Sequence, residues 1–185
     1  IKIFYFYQKL EYLLKSKSAP LILNTYLSYI DDFVLNFKFK TLPFFSNTKL
    51  DYKIKNLSSL RNLANYRNWK INFDNNDFEI FIGEIISSQL PINFLEGFDT
   101  LNHELSKNFW PTKPKFILTS NLFYDNDLFN LYVLKKCREG SKFFTTQHGG
   151  HYGIGKFSFF EIHQTTISDK FFTWGWASHK HNNLI

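Results

Sequence analysis

From residue 111 onward, short apolar runs alternate with segments of helical rhythm. Lys115-Phe116-Ile117-Leu118-Thr119-Ser120, Lys142-Phe143-Phe144-Thr145-Thr146 and Lys170-Phe171-Phe172-Thr173-Trp174 read as strands. Between the first two, Leu128, Leu131, Leu134 and Lys135 recur at helical spacing behind a cap at Asn126 or Asp127, and Gly140 ends the helix. Between the second and third, a helix is predicted over about 157–167. Strand-helix-strand-helix-strand at this spacing predicts an α/β fold, a parallel sheet with right-handed crossovers. The carboxyl ends of its strands share one edge, so Ser120-Asn121, Gln147-His148 and Gly175-Trp176 are expected to gather there.

Residues 1–110 read as a mostly helical region of the same domain. Tyr26, Leu27, Ile30, Phe33 and Val34 have a helical rhythm after a cap at Asn24 or Thr25, and Leu42-Pro43 breaks it. Ser58-Ser59 opens a short helix through Leu60, Leu63 and Ala64. Asp77 caps a helix with Phe78, Phe81, Ile82, Ile85 and Ile86 on one face. Pro91 fits the first turn of another, in which Phe94, Leu95, Phe98, Leu101 and Leu105 recur.

Composition narrows the class. The 185 residues are 44% hydrophobic and 20% aromatic, which excludes wholesale disorder. The net charge of +6 favours anionic partners, but Lys and Arg are scattered. A nucleic-acid binder needs basic residues clustered with aromatics, so no nucleic-acid partner is expected. The single cysteine, Cys137, excludes an internal disulfide and sits in a helical pattern as a buried or half-buried thiol. No apolar run is long enough to cross a bilayer, and residues 1–15 read as a buried first element rather than an interfacial helix. The chain lacks Met and stops just after a strand-like run, as expected of a fragment cut at both ends.

The chemistry concentrates in Thr146-Gln147-His148-Gly149-Gly150-His151-Tyr152-Gly153-Ile154-Gly155, directly after a predicted strand and before a predicted helix. Gly149, Gly150, Gly153 and Gly155 allow a ligand to approach the main chain, or simply allow a tight turn. The next helix would aim its free N–H groups and positive end at the loop, where Lys156 adds charge for a phosphate or carboxylate. The spacing matches neither the dinucleotide fingerprint nor the Walker pattern. His148 is placed to take a proton from an attacking hydroxyl at neutral pH. Glu161 can orient that imidazole, act as a carboxylate base, or face solvent. Trp174 and Trp176 can stack on a sugar or plug a junction. His148-x-x-His151 with Glu161 and His163 offers zinc-ligand types, but Glu161 and His163 fall on different helix faces, so no metal is expected.

Gln147-His148-Gly149-Gly150-His151-Tyr152-Gly153, Glu161-Ile162-His163-Gln164, Ile167-Ser168-Asp169-Lys170 and Thr173-Trp174-Gly175-Trp176 together resemble a family of transferases of bacterial surface-carbohydrate (O-antigen or capsule) biosynthesis. Pro114–Ser120 and Asn126-Asp127 also match its pattern, so the resemblance is specific over about 114–176. It implies a GT-B-like glycosyltransferase of two Rossmann-like halves, this chain being the N-terminal half and the donor-binding half lying beyond it. It implies a nucleotide-sugar donor as co-substrate, no permanently bound cofactor, and a glycan or lipid-linked acceptor. The setting would be cytoplasmic, with peripheral contact at the inner face of the bacterial membrane. His148 and Glu161 would be catalytic. Gln147, Gly149, Gly150, His151, Tyr152, Gly153, His163, Trp174 and Trp176 would bind substrate. The chain departs from that pattern at Gln164, where an acidic residue is expected. The 185-residue piece alone is expected to be inactive, and a non-catalytic carbohydrate- or phosphate-binding module is the alternative.

Overall fold

In the computed structural model, residues 17–41, 66–74, 76–178 and 182–185 are described. The expected first element over 1–15, the break at Leu42-Pro43 and the helix opened by Ser58-Ser59 lie outside the described residues.

The described strands are β1 (Leu21–Leu23), β2 (Phe116–Thr119), β3 (Lys142–Thr146) and β4 (Lys170–Phe172). They form one sheet in the order β1-β2-β3-β4, with every pair parallel. The fold is therefore α/β with a parallel, Rossmann-like sheet. Three of the strands lie within a residue or two of their expected positions. The sequence reading passed over β1, because three residues are too few to show an alternation.

Register explains the burial. Leu21 pairs with Ile117 and that residue with Phe143, while Leu23, Thr119, Thr145 and Phe171 line up one step further on. Successive side chains in a strand point to opposite faces, so these seven share one face. All seven are buried. Each fully buried Leu, Ile or Phe contributes about 1.5–3 kcal/mol, so this face is the main anchor of the unit. Phe129 packs on it beside Phe143 at 6.3 Å, and Trp110 meets Phe129 edge-on at 5.9 Å. The opposite face carries an aromatic row: Phe39 against Phe116 at 5.1 Å, Phe116 against Phe144 at 5.3 Å, and Phe144 against Phe172 at 6.1 Å.

The described α-helices are α1 (Tyr29–Lys38), α2 (Asp77–Gln89), α3 (Phe98–Ser106), α4 (Asp127–Arg138) and α5 (Phe159–Ile167). Their caps are local chemistry. Ser28, Asn76, Asn126 and Ser158 each accept a backbone N–H three residues on. The true caps shift two starts: α1 begins at Tyr29 behind Ser28 rather than near Thr25, and Asn76 rather than Asp77 caps α2. The helix expected from Pro91 divides into a 3-10 turn, Ile92–Phe94, and α3. Gly140 ends α4 with φ +98°. Cys137 is half-buried, and burial pushes its thiol up, as in an inert side chain.

The chain forms two compact units, Ile1–Leu50 with Asn108–Ile185, and Asp51–Lys107. The first holds the sheet and the glycine loop. The sheet order contains no reversal, so a crevice at a topological switch point is not available among the described strands. Whatever binds at the carboxyl edge must be held by the segments that leave the strands.

Candidate active site at the carboxyl edge of the sheet

Four strand ends supply the site. Asn24-Thr25-Tyr26 follows β1, Ser120-Asn121 follows β2, Gln147-His148 follows β3, and Thr173-Trp174-Gly175-Trp176 follows β4. Tyr26 ties the first three together. Its ring stacks on His148 with centroids 6.2 Å apart, and its hydroxyl accepts from Asn121 Nδ2 at 2.7 Å. Asn24 and Tyr26 both hold positive φ, 52° and 59°, a conformation that disfavours a bulky aromatic. This backbone places the Tyr26 ring against the imidazole rather than leaving it on α1.

Gln147 joins β3 to β4. Its Oε1 accepts from Trp174 N at 2.9 Å and from Trp176 Nε1 at 2.8 Å, while its Nε2 donates to Gly149 O at 2.7 Å. The side chain is buried, and its acceptor is committed to the Trp-Gly-Trp segment. The two tryptophans differ in their surroundings. The Trp176 ring covers Gly153, where an added Cβ would stand 2.5 Å from the indole Cδ2. Trp174 is 66% exposed and presents a free ring.

Of the loop glycines only Gly153 uses left-handed backbone, with φ +75°. Gly149, Gly150 and Gly155 do not hold positive φ. Space at Gly149 is ordinary van der Waals contact with His151 and Tyr152, and Gly150 faces open space. Gly153 N donates to Glu161 Oε2 at 2.8 Å, and Ser158 Oγ accepts from Glu161 N at 3.3 Å. Glu161 thus fastens the far end of the loop to the first turn of α5. The N-terminus of α5 is already capped by Ser158 and carries a carboxylate, which compensates the dipole that was expected to attract an anion.

His148 is the centre of the constellation. It is half-buried and ringed by Tyr26, by Tyr124 at 5.9 Å, by Tyr152 at 5.5 Å and by Phe160 at 6.1 Å. The Tyr152 hydroxyl lies 3.1 Å from its Nδ1. Burial lowers the His148 pKa, His151 lowers it further, and the Gln164 side chain opposes both. The result is an imidazole held neutral, with a lone pair, at neutral pH. Burial pushes the Tyr124 phenol up to about 12 and the buried Tyr152 phenol higher still, so both are neutral donors.

The other candidates are placed as follows. His151 is exposed, its ring 4.7 Å from that of Tyr152 and 5.8 Å from that of Phe160. His163 stacks on Phe159 at 5.8 Å and lies 5.7 Å from Tyr124. Among the described residues, no three His, Cys, Asp or Glu side chains converge as metal ligands. Sequence reasoning missed Tyr26, Tyr124 and Phe160 as walls of the site. Their signal was weak: each follows a strand or opens a helix, but only the fold shows that they converge.

A family model described as LIC12162 family transferase matches residues 2–185. The chain belongs to that family. No curated protein matches, and no solved structure matches. The family makes this a transferase, and the neutral imidazole at the sheet edge is a suitable acceptor for the proton released when a hydroxyl attacks an activated group. No described helix is long and apolar enough to cross a membrane.

Proposed function

We propose that this transferase moves a sugar from a nucleotide-activated donor to a hydroxyl of a surface glycan or a lipid-linked acceptor, with His148 as the base. The observation that carries the reading is the neutral His148 imidazole, half-buried among rings at the strand carboxyl ends. Tyr26, Tyr124, Phe160 and Trp174 are exposed enough to meet the C–H faces of a sugar, the surfaces that pack on aromatic rings.

In the step, the acceptor hydroxyl oxygen bonds to the anomeric carbon of the donor. Its proton passes to the free nitrogen of His148. The bond from the anomeric carbon to the nucleotide phosphate breaks, and the electron pair leaves on the phosphate. Glu161, engaged with Gly153 N, shapes the loop rather than receiving that proton. The leaving diphosphate needs fixed positive groups, which the compensated end of α5 does not offer. Its binding belongs to a donor-holding half of a GT-B-like architecture. A lipid-linked acceptor would bring the protein to the inner face of the membrane.

The test is turnover by protein purified from its own cells, supplied with a panel of nucleotide sugars and scored by release of nucleoside diphosphate. His148→Ala should abolish transfer while acceptor binding survives. If His148→Ala lost binding, and the wild type never turned over any donor, the protein would be a carbohydrate-binding module instead.

A further inference from the structure

We propose that Tyr26 is a ligand-binding residue of this site, its phenol hydrogen offered to an oxygen of the bound sugar, and that Asn121 is the positioning residue that turns that hydrogen outward. The inference rests on the reading of this edge as a sugar site, and names how the edge would recognise one.

The turn after β1 is held in an unfavourable shape. Asn24 and Tyr26, on either side of Thr25, have φ of 52° and 59°. Asparagine tolerates left-handed backbone, whereas a bulky aromatic rarely adopts it. The neighbours enforce it. Ser120 N donates to Asn24 O at 3.1 Å, Thr25 Oγ1 donates to Asp32 Oδ1 of α1 at 2.9 Å, and Leu27 N donates to Thr25 Oγ1 at 3.3 Å. Strain of this kind persists only where the surroundings over-determine it, and it clusters at ligand sites. Burial does not account for it here, since Tyr26 is 64% exposed. What the turn achieves is placement: the ring stacks on His148 at 6.2 Å, 22° from parallel.

The hydrogen bonds behind the ring run in one direction. Asn24 Nδ2 donates to Asn121 Oδ1, and Asn121 Nδ2 donates to the Tyr26 hydroxyl at 2.7 Å. A phenol has one hydrogen to donate. Because its oxygen accepts from Asn121, that hydrogen is not engaged by the amide. Among the described residues the hydroxyl has no second hydrogen-bond partner. A sugar supplies what this group takes: hydroxyl oxygens that accept a hydrogen bond, beside C–H faces that pack on an aromatic ring.

Saturation-transfer difference NMR of the full chain with the methyl glycosides of glucose, galactose, mannose and N-acetylglucosamine reads binding without a donor or turnover. The wild type should bind at least one of them. Tyr26→Phe keeps the ring and should weaken that binding about threefold to tenfold. Asn121→Asp keeps the shape of the side chain but can only accept, which draws the phenol hydrogen inward. It should weaken binding to the same extent as Tyr26→Phe, and add nothing in the Tyr26→Phe background. Tyr26→Gly removes the ring and the left-handed penalty together, so binding should be lost while the melting temperature holds or rises.

A wild type that binds none of these glycosides overturns the proposal. So does an Asn121→Asp chain with unchanged affinity, or an equal loss from Asn121→Asp with and without the Tyr26 hydroxyl. A Tyr26→Gly melting temperature lower by more than about 4 °C overturns it as well, because the side chain would then be supporting the fold. Transfer is read separately, by release of nucleoside diphosphate. A protein that binds glycosides through Tyr26 yet turns over no donor would contradict the transfer reading and leave this one standing.

Discussion

The Tyr152 hydroxyl stands 3.1 Å from His148 Nδ1, while the Tyr152 ring lies stacked on Phe171 at 5.8 Å. A buried phenol anchored on the sheet therefore sets the position of a half-buried imidazole four residues earlier. The sequence reading gave Tyr152 a substrate-binding role, but its 2% exposure leaves little surface for a substrate to touch. Tyr152→Phe keeps the stack and removes one hydrogen bond. The expected result is a stability loss of about 1 kcal/mol and a fall in kcat of about tenfold, equivalent to ~1.4 kcal/mol, with KM nearly unchanged. Urea unfolding and steady-state kinetics check both. An unchanged kcat would show that the phenol only fills space.

The depressed pKa of His148 sets the pH dependence. Burial is the main cause, with His151 adding to it. The base is competent above its folded-state pKa, so the acid limb of the rate profile should fall below the ordinary histidine value of about 6.5. The same shift affects stability. Below about 6.5 the unfolded chain binds the proton first, so the stabilisation from neutral His148 is complete above that pH and is lost as pH falls through the folded-state value. Replacing His151 with Gln removes a neighbour that lowers the His148 pKa and should move the acid limb of kcat/KM upward. An acid limb centred above 7 in the wild type would contradict the assignment of His148.

Gly153 combines two constraints. Its φ is +75°, and a Cβ there would meet the Trp176 ring at 2.5 Å. Left-handed backbone costs a non-glycine residue about 1–2 kcal/mol, and the indole cannot retreat freely because Gln147 Oε1 holds its Nε1 at 2.8 Å. Gly153→Ala is therefore expected to cost at least about 2 kcal/mol and to change the environment of Trp176. Gly150→Ala, at a position facing open space, is the control and should leave stability within about 0.5 kcal/mol. Thermal melts and tryptophan fluorescence of the two variants give the comparison. Equal melting temperatures would remove the case for a strained loop.

The sheet from residue 111 was legible because each signal is local. Apolar runs of four to six residues, caps such as Asn126 and a closing Gly140 need no knowledge of the rest of the chain. The loop after β3 and the position of His148 were legible for the same reason. What stayed hidden depends on distant pairing. β1 is recognised as a strand only beside β2, ninety-five residues or so away in sequence, and Tyr26 becomes a wall of the site only once β1 is placed. The second use of Gln147, as a clamp on Trp174 and Trp176, likewise crosses from β3 to β4. Gln164 read in sequence as a missing acid. In the fold it is a buried amide whose nitrogen joins the ends of β2 and β3 and whose oxygen has no hydrogen-bond partner.

Arg67 is the hub of the second unit. Its Nε and Nη2 grip the two oxygens of Glu96, and its Nη1 and Nη2 donate to Ser87 O at 2.8 Å, Ser88 O at 3.1 Å and Leu90 O at 3.0 Å. All five guanidinium hydrogens are used, three of them on carbonyls at the C-terminal end of α2, where a cation also offsets the helix dipole. The Glu96 side chain is fully buried in this pair. Breaking a buried pair from one side leaves a poorly compensated charge, at about 3–5 kcal/mol, so Arg67→Ala should destabilise the chain on that scale. Arg67→Lys keeps the charge but cannot form the fork, and should still lose about half as much. Adding Glu96→Gln to Arg67→Ala removes the buried carboxylate charge and should recover part of the loss. Chemical unfolding of the three variants decides it: an Arg67→Ala penalty under about 1 kcal/mol, the scale of an exposed pair, would mean that this guanidinium holds nothing together.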